Sequence, residues 1–287
     1  MFSLTTFPWR SFFKRLYEKA FDTDIFNRSA QVAFYFSFAI FPLLIFLISL
    51  FGLILDSTEG LKNELFAYLR EVLPGTASDL VRNTVEEIVQ TSSGGKLTLG
   101  LFFTLWSASA GIDSIRRGLN AVYELKETRS WWRTKALAIV ITLVVLVLTA
   151  IVLGIVFYGW QIARVGLATA GIEITSPLIL ASVQWISILL VLLFACEVIF
   201  NLIPNVKRFR WRWVTPGSIV AIVLWIIFTS GFRLYLQYFN SYNKTYGSLG
   251  AVIILLLWLY LTALAVMIGG AINAIIHELH LSNSADK

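Results

Sequence analysis

Cysteine and histidine are almost absent from this chain. Its 287 residues include one cysteine, Cys196, and two histidines, His277 and His280. A single cysteine excludes an intrachain disulfide and a zinc site built from cysteines. The run His277-Glu278-Leu279-His280 also lacks the i, i+4 histidine spacing of a metalloprotease helix. We therefore expect no metal site, no cofactor and no enzymatic activity.

Charged residues are scarce as well, at 14% of the chain, whereas soluble domains carry about 25%. Hydrophobic residues make up 57% of the sequence, and the mean hydropathy is +0.76. This composition indicates that the whole chain lies in a membrane, in contact with lipids. The net charge of +6 does not indicate a nucleic-acid partner, because the basic residues are sorted by loop, as a membrane topology requires.

Six apolar stretches predict an all-α fold, a polytopic integral membrane helical bundle with six transmembrane helices. A helix of about 30 residues rises ~45 Å, which is enough to cross the ~30 Å hydrocarbon core of a bilayer. The second stretch is short, but we expect its helix to continue through Asn120. The predicted spans are residues 30–55, 97–112, 136–160, 177–203, 214–238 and 247–276.

Three polar segments accompany these spans. In residues 1–29, aromatic and basic residues alternate at helical spacing, which is typical either of an interfacial helix among the lipid headgroups or of a helix docked on the bundle. Residues 56–96 predict two short amphipathic helices, separated at Pro74-Gly75, on the outer side of the membrane. Residues 277–287 predict a short polar tail.

The distribution of lysine and arginine predicts the orientation of the chain. The N-terminal segment, the loops after spans two and four, and the tail together hold 16 of these residues, whereas the other three loops hold 6. Cytoplasmic loops carry the excess of positive charge in membrane proteins. We therefore expect both termini on the cytoplasmic side.

The last predicted span has features of a helix at the centre of the bundle. Gly269, Gly270 and Asn273 near its end are small or polar residues, which let a neighbouring helix approach closely. The first span contains Pro42, which removes a backbone hydrogen bond and predicts a kink. The alternative for the last span is an ordinary helix packed against lipid.

Glu197 is an acidic residue inside the fourth predicted span, ~9 Å of helix rise from its cytoplasmic end. An ionisable residue in a membrane is a functional candidate, because burying it without a partner is costly. Asn201 follows one turn later on the same helix face. Arg116 or Arg117, at the inner end of span two, is the expected charge partner. The alternative to a functional role is a structural ion pair.

Arg233 is the corresponding basic residue, inside the fifth predicted span. It lies ~30 Å from the cytoplasmic end of its span, so it should sit near the opposite face from Glu197. Asp56 or Glu173 at the outer face is its expected partner. The alternative is that Arg233 extends to the outer headgroups without a specific role.

Other polar residues inside the spans, such as Gln31 and Asn273, have two interpretations. They either line a cavity for cargo or form hydrogen bonds that hold helices together. The candidate residues for a cavity are Gln31, Pro42, Glu197, Asn201, Arg233 and Asn273.

Several short runs in this chain resemble the YihY/BrkB family of bacterial inner-membrane proteins. The resemblance covers nearly the whole sequence. The runs are Phe34-Tyr35-Phe36-Ser37-Phe38-Ala39-Ile40-Phe41-Pro42, Leu119-Asn120-Ala121-Val122-Tyr123, Ile203-Pro204-Asn205-Val206-Lys207, Tyr246-Gly247-Ser248-Leu249 and Leu257-Trp258-Leu259-Tyr260.

This resemblance implies a six-span bundle in the bacterial inner membrane with cytoplasmic termini. Family members were once labelled ribonuclease BN, a label that is regarded as a misassignment. The small number of histidines in this chain also argues against it. One departure concerns Gly269-Gly270-Ala271-Ile272-Asn273, where the family often reads Gly-Ala-Glu-Leu-Asn. If the family's glutamate contacts cargo or protons, this chain must use another group, such as Glu197.

Two functions follow as hypotheses. The first is transport of a small solute or lipid across the membrane through a cavity in the bundle, which the resemblance also implies. The alternative is a non-transporting membrane protein that supports envelope integrity or binds partners through its outer helices. The sequence leaves substrate, energy coupling and assembly into a homo-oligomer open.

Overall fold

A computed structural model describes residues 9–54, 94–169, 177–206, 211–238 and 248–285. In these ranges the chain forms helices and short connections, without a strand. The helices are α1 (Trp9–Asp22), α2 (Ile25–Ile54), α3 (Gly94–Val122), α4 (Trp131–Thr169), α5 (Pro177–Leu202), α6 (Pro216–Tyr238) and α7 (Ser248–Ala285).

Four of these helices contain a segment that is long and apolar enough to cross a membrane. The segments are Trp131–Val156, Leu178–Leu202, Pro216–Leu236 and Val252–Leu279, in α4 to α7. They coincide with the third to sixth predicted spans. The first predicted span overlaps α2 up to Ile54, and the second falls within α3; these helices have 30 and 29 residues. The described part of this membrane protein is therefore all-helical, and α3 continues past Asn120 as predicted.

The predicted outer segment lies mostly outside the described residues. Of residues 56–96, the structure describes only 94–96, which begin α3. The two amphipathic helices predicted there, and Asp56, are therefore outside the described part of the chain.

The last helix, α7, lies at the centre of the bundle, as predicted. It packs against α1, α2, α3 and α6, and Met267 and Ala271 on it are fully buried. Its closest neighbour is α6, because Gly217 and Gly269 face each other at the contact. A Cβ atom on Gly217 would lie 2.1 Å from the carbonyl oxygen of Gly269, so only glycine permits this approach.

The N-terminal helix α1 docks on the bundle by one face and leaves the other face exposed. Phe12 is buried against Ile272 and Ile275 of α7, so one face of the helix docks on the bundle. The opposite face is exposed and aromatic. It carries Trp9, Phe13, Tyr17 and Phe21, with rings in contact along the helix.

A buried lysine fixes α1 to the end of α7. Lys19 is 7% exposed, and its ammonium group pairs with Glu278 and, at 3.2 Å, with Glu124. Leu279 also packs against the apolar cluster of Phe12, Ile272 and Ile275. These tertiary contacts explain why α7 continues as a helix to Ala285, whereas the sequence predicted a polar tail from residue 277.

Candidate functional site

The side chain of Glu197, near the end of α5, is 1% exposed. Its Oε1 atom accepts hydrogen bonds from the backbone N of Thr215 at 2.6 Å, from Thr215 Oγ1 at 2.9 Å and from Ser218 Oγ at 2.5 Å. Its Oε2 atom accepts one from Asn201 Nδ2 at 2.9 Å. Neutral donors therefore surround both oxygens, which offsets the cost of removing a carboxylate from water.

The sequence Thr215-Pro216-Gly217-Ser218 explains why these donors are available. Proline is favoured in the first position of a helix, and threonine before it is a favourable N-cap. Thr215 Oγ1 accepts the Ser218 amide at 3.3 Å. The amides of Thr215 and Gly217 lack partners within α6, because the first amides of a helix have no preceding carbonyl. They point toward the neighbouring helices.

Side chains from α5 and α7 satisfy these two amides. Glu197 accepts the Thr215 amide, and Asn273 Oδ1 accepts the Gly217 amide at 2.8 Å. Asn273 Nδ2 also donates to Thr215 Oγ1 at 3.0 Å. The positive end of the α6 dipole further stabilises an anionic carboxylate at this position. Three membrane helices are thus joined at the start of α6.

We call this group the Glu197 cluster, and it consists of Glu197, Asn201, Thr215, Ser218 and Asn273. Asn201 extends the cluster to the loop between α5 and α6. Its Nδ2 atom contacts the carbonyl oxygen of Arg212 at 3.1 Å, and its Oδ1 atom accepts a hydrogen bond from the backbone amide of Arg212 at 3.0 Å. The prediction placed Glu197, Asn201 and Asn273 in one site, and the structure brings them together. It missed Thr215 and Ser218, although the Thr-Pro-Gly-Ser helix start was visible in the sequence.

Tyr123 adjoins the cluster from the end of α3. Burial raises the pKa of the Tyr123 hydroxyl above its ordinary value, and the Asn273 side chain lies near enough to oppose that shift. The tyrosine therefore stays neutral at physiological pH. Because Tyr123 belongs to the run Leu119–Tyr123 that carries the family resemblance, the contact gives that residue a physical role at the cluster.

Neither Arg116 nor Arg117 is the partner of Glu197, so the predicted charge pairing is wrong. Arg116 Nε contacts Asp113 Oδ1 at 3.1 Å, and Arg116 Nη1 donates to Glu127 Oε2 at 2.5 Å. The guanidinium of Arg116 is neutralised there, because Asp113 lies one helical turn before it and Glu127 lies in the following loop. Within the described residues, Glu197 forms no ion pair.

The loop after α3 is organised around Glu127. Arg129 donates to both of its oxygens, from Nε at 2.9 Å and from Nη2 at 3.1 Å. Partial burial alone would raise the pKa of Glu127, but the hydrogen bonds from Arg129 and Arg116 outweigh it and lower the pKa to about 2. Glu127 is therefore ionised at physiological pH.

Two asparagines from the resemblance runs connect this loop to the loop after α5. The backbone amide of Asn205 donates to Asn120 Oδ1 at 2.9 Å, and the side-chain Nδ2 of Asn205 donates to the carbonyl oxygen of Lys126 at 2.9 Å. Arg129 Nη2 also donates to the carbonyl oxygen of Ile203 at 2.9 Å. We call the end of the bundle where these loops, α1 and the start of α2 meet the basic end.

Gln31 and Arg117 lie apart from the Glu197 cluster, on the side of the bundle. They line an open groove of about 670 Å³ between α2 and α3 at the basic end, with Asn27, Ala30, Phe34 and Tyr35. The Arg117 guanidinium lies over the Tyr35 ring, 5.4 Å from its centroid. We call this feature the Arg117 groove.

The other candidates do not join either site. Arg233 is exposed on α6, and its expected partners Asp56 and Glu173 lie outside the described residues. Helix α2 continues through Pro42, but the side chain of Pro42 is outside the described part. Among the described residues, no three His, Cys, Asp or Glu side chains come together as a metal-binding group.

The helical fold and the membrane-crossing segments define a polytopic α-helical membrane protein. Residues 16–287 match the family described as virulence factor BrkB, so the chain belongs to this family. The resemblance found in the sequence is therefore confirmed.

Two relatives illustrate this membership. The ribonuclease-like protein YfkH of Bacillus subtilis strain 168 is 31% identical over 268 residues, covering 93% of this chain and 96% of the relative. A UPF0761 membrane protein of Xanthomonas campestris pv. campestris strain B100 is 27% identical over 274 residues. The match covers 91% of this chain but 60% of that relative, so the chain spans about three fifths of the Xanthomonas protein. No solved structure matches the chain.

Proposed function

We propose that this protein transports a small solute or a lipid across the bacterial inner membrane. It spans the membrane six times, with α2 and α3 as the first two spans, and its basic end and both termini face the cytoplasm. The lengths of α2 and α3, 30 and 29 residues, support six spans, since ~20 residues of helix already cross the hydrocarbon core. The excess of lysine and arginine at the basic end supports the orientation.

The observation that carries this proposal is the contrast between the Glu197 cluster and the Arg117 groove. The cluster joins α5, α6 and α7 through buried hydrogen bonds, whereas α2 and α3 leave an open groove with polar and aromatic walls. Alternating access moves one group of helices against another around a binding site, and the cluster and the groove lie on different helices of this bundle. The groove, and not Glu197, is the proposed contact with cargo.

A non-transporting structural role is the second candidate, and the same cluster favours it. Both carboxylate oxygens of Glu197 already accept hydrogen bonds from protein donors. This is the environment of a residue that holds helices together. In that case the protein would support the envelope or bind partners, and its predicted outer helices would supply the surface.

We also propose that the chain is not an enzyme and, in particular, not a ribonuclease. The word ribonuclease belongs to the name of YfkH. The two histidines of this chain, His277 and His280, do not supply the histidine-rich ligand set of a zinc-dependent nuclease.

Reconstitution into liposomes tests the transport proposal. Fluorescently labelled phospholipid in the inner leaflet becomes accessible to dithionite if the protein moves lipid, and entrapped dyes or osmolytes escape if it moves solutes. We expect one of these signals to exceed that of protein-free liposomes and of liposomes with an unrelated membrane protein. If neither lipid nor any solute of a broad panel moves, with and without ion gradients, transport is rejected in favour of the structural role.

A further inference from the structure

The two adjacent arginines at the end of α3 have different surroundings. Arg116 is 12% exposed at its side chain and is paired with Asp113 and Glu127. Arg117 is exposed, and within the described residues no carboxylate lies within ion-pair distance of its guanidinium. Its guanidinium lies over the face of the Tyr35 ring. Arg117 therefore presents a positive charge to the Arg117 groove that the described part of the chain does not neutralise.

The groove also offers a second hydrogen-bond donor. Gln31 is exposed and lines the groove. Asn27 lines it too, but its Nδ2 atom donates to Asp24 at 2.8 and 3.0 Å. Among the lining residues, Arg117, Gln31 and the hydroxyl of Tyr35 thus offer donors to a ligand.

An apolar surface continues from the groove along α2. Phe34 lines the groove, and its ring contacts that of Phe38 one turn further, with centroids 4.9 Å apart. Phe34 is 54% exposed and Phe38 64% exposed. In a membrane this aromatic surface extends from the level of the headgroups toward the acyl chains, because Asn27 and Arg117 lie at the basic end of the bundle.

We propose that the Arg117 groove binds an anionic phospholipid, with the phosphate held by Arg117 and Gln31 and an acyl chain along Phe34 and Phe38. A guanidinium is suited to a phosphate because its donors form a planar fork that matches two oxygens. The cation–π contact with the Tyr35 ring restricts where the guanidinium can lie. This inference deepens the proposed function, on which it rests for the groove as the contact with cargo, because it names an anionic phospholipid as the ligand of that groove.

Native mass spectrometry of the purified full chain tests the proposal. The protein would be titrated in detergent with dioleoyl phosphatidylglycerol and, separately, with dioleoyl phosphatidylcholine. We expect tighter binding of the anionic lipid. Arg117→Gln should weaken binding of phosphatidylglycerol about tenfold, the loss expected for a charge-assisted hydrogen bond. Arg117→Lys should weaken it less, because it keeps the charge and loses the fork.

Arg133→Gln is the matched control. Arg133 is exposed near the start of α4, at the same end of the molecule, and its substitution removes the same charge outside the groove. We expect phosphatidylglycerol binding by this variant within about twofold of the wild type, since one distant exposed charge contributes little. Thermal unfolding of each variant in detergent would show that the fold is retained.

Three results would overturn the lipid site. The first is that Arg117→Gln and Arg133→Gln weaken phosphatidylglycerol binding equally. The second is that the protein binds the two lipids with equal affinity, and the third is that millimolar inorganic phosphate displaces phosphatidylglycerol. The last result would indicate a free-phosphate site. Because binding is measured without transport, an inactive protein that still binds phosphatidylglycerol through Arg117 would contradict only the proposed function. A transporting protein without this binding would contradict only the lipid site.

Discussion

The side-chain oxygen of Asn273, on α7, accepts a hydrogen bond of 2.8 Å from the backbone amide of Gly217, in the first turn of α6. This contact is possible because the two helices approach at Gly217 and Gly269, where neither residue has a side chain. One asparagine therefore completes the N-terminus of a neighbouring helix inside the bundle. The close packing and the polar cluster depend on each other.

Replacement of Gly217 by alanine should destabilise the protein. The added Cβ would lie 2.1 Å from the Gly269 carbonyl oxygen and 2.5 Å from Asn273 Cγ. Because the first obstacle is backbone, α6 and α7 must separate, and we expect a loss of about 2–3 kcal/mol in the free energy of unfolding. Thermal unfolding in detergent measures it.

Gly231→Ala is the control for this variant. Gly231 lies in the same helix, and a Cβ there would meet nothing within 4 Å. Alanine should leave stability unchanged or raise it by up to about 1 kcal/mol, because it favours helix. Equal destabilisation by both substitutions would contradict the role given to the Gly217–Gly269 contact.

Substitution of Glu197 separates a structural from a functional carboxylate. Glu197→Ala leaves the donors of Thr215, Ser218 and Asn201 without an acceptor, and we expect a loss of about 3 kcal/mol in unfolding free energy. Glu197→Gln keeps one acceptor oxygen, so we expect a smaller loss, about 1–2 kcal/mol.

In the transport assay, the folded Glu197→Gln protein should keep at least half of the wild-type activity. Such retention follows if the carboxylate holds helices together and carries neither protons nor cargo. A Glu197→Gln protein that is as stable as the wild type but inactive would contradict this interpretation. It would assign the residue to transport.

Lys19 should hold α1 on the bundle. Lys19→Met removes its pairing with Glu278 and Glu124, and we expect faster amide hydrogen exchange throughout residues 9–22, corresponding to about 1–2 kcal/mol of lost docking energy. Lys14→Met is the control, because the Lys14–Glu18 pair is exposed at both residues and contributes little. Equal exchange in the two variants would show that apolar contacts alone dock α1.

Glu127 should make stability depend on pH in the acid range. Its pKa in the folded protein is about 2, below the ordinary 4.5, so the ionised form is favoured by folding. Its contribution is fully present above pH 4.5 and is lost as the pH falls through about 2. Since the side chain is partly exposed, we expect on the order of 1 kcal/mol.

The measurement compares the unfolding free energy of the wild type with that of Glu127→Gln. The difference should be present at pH 6 and nearly absent at pH 2. A difference that does not change between these pH values would show that Glu127 is not stabilised as an anion by Arg129 and Arg116.

The sequence predicted the all-helical membrane class, because long apolar stretches indicate membrane-spanning helices. It also predicted three members of the Glu197 cluster, because polar residues inside such stretches are recognisable in the sequence. It did not predict Thr215 and Ser218 as partners, since their donors become available only when α6 begins beside α5. The predicted pairing of Arg116 with Glu197 was wrong, because the position of a residue along the helix axis does not determine which way its side chain points around that axis. The extension of α7 to Ala285 depends on contacts with α1, and no local pattern contains them.

The difference between a closed Glu197 cluster and an open Arg117 groove is the central claim, and thiol accessibility tests it most directly. Single cysteines would replace Gln31, Tyr35, Glu197, Asn201 or Asn273 in a Cys196→Ser background, with Ser130→Cys as an exposed loop control. A membrane-impermeant thiol reagent would be added from each side of the membrane. We predict labelling at positions 31, 35 and 130 from the same side, and none at 197, 201 and 273 from either side. Labelling at 197 and 273 in folded variants would contradict the account, because water would then reach the cluster and Glu197 would line the transport path.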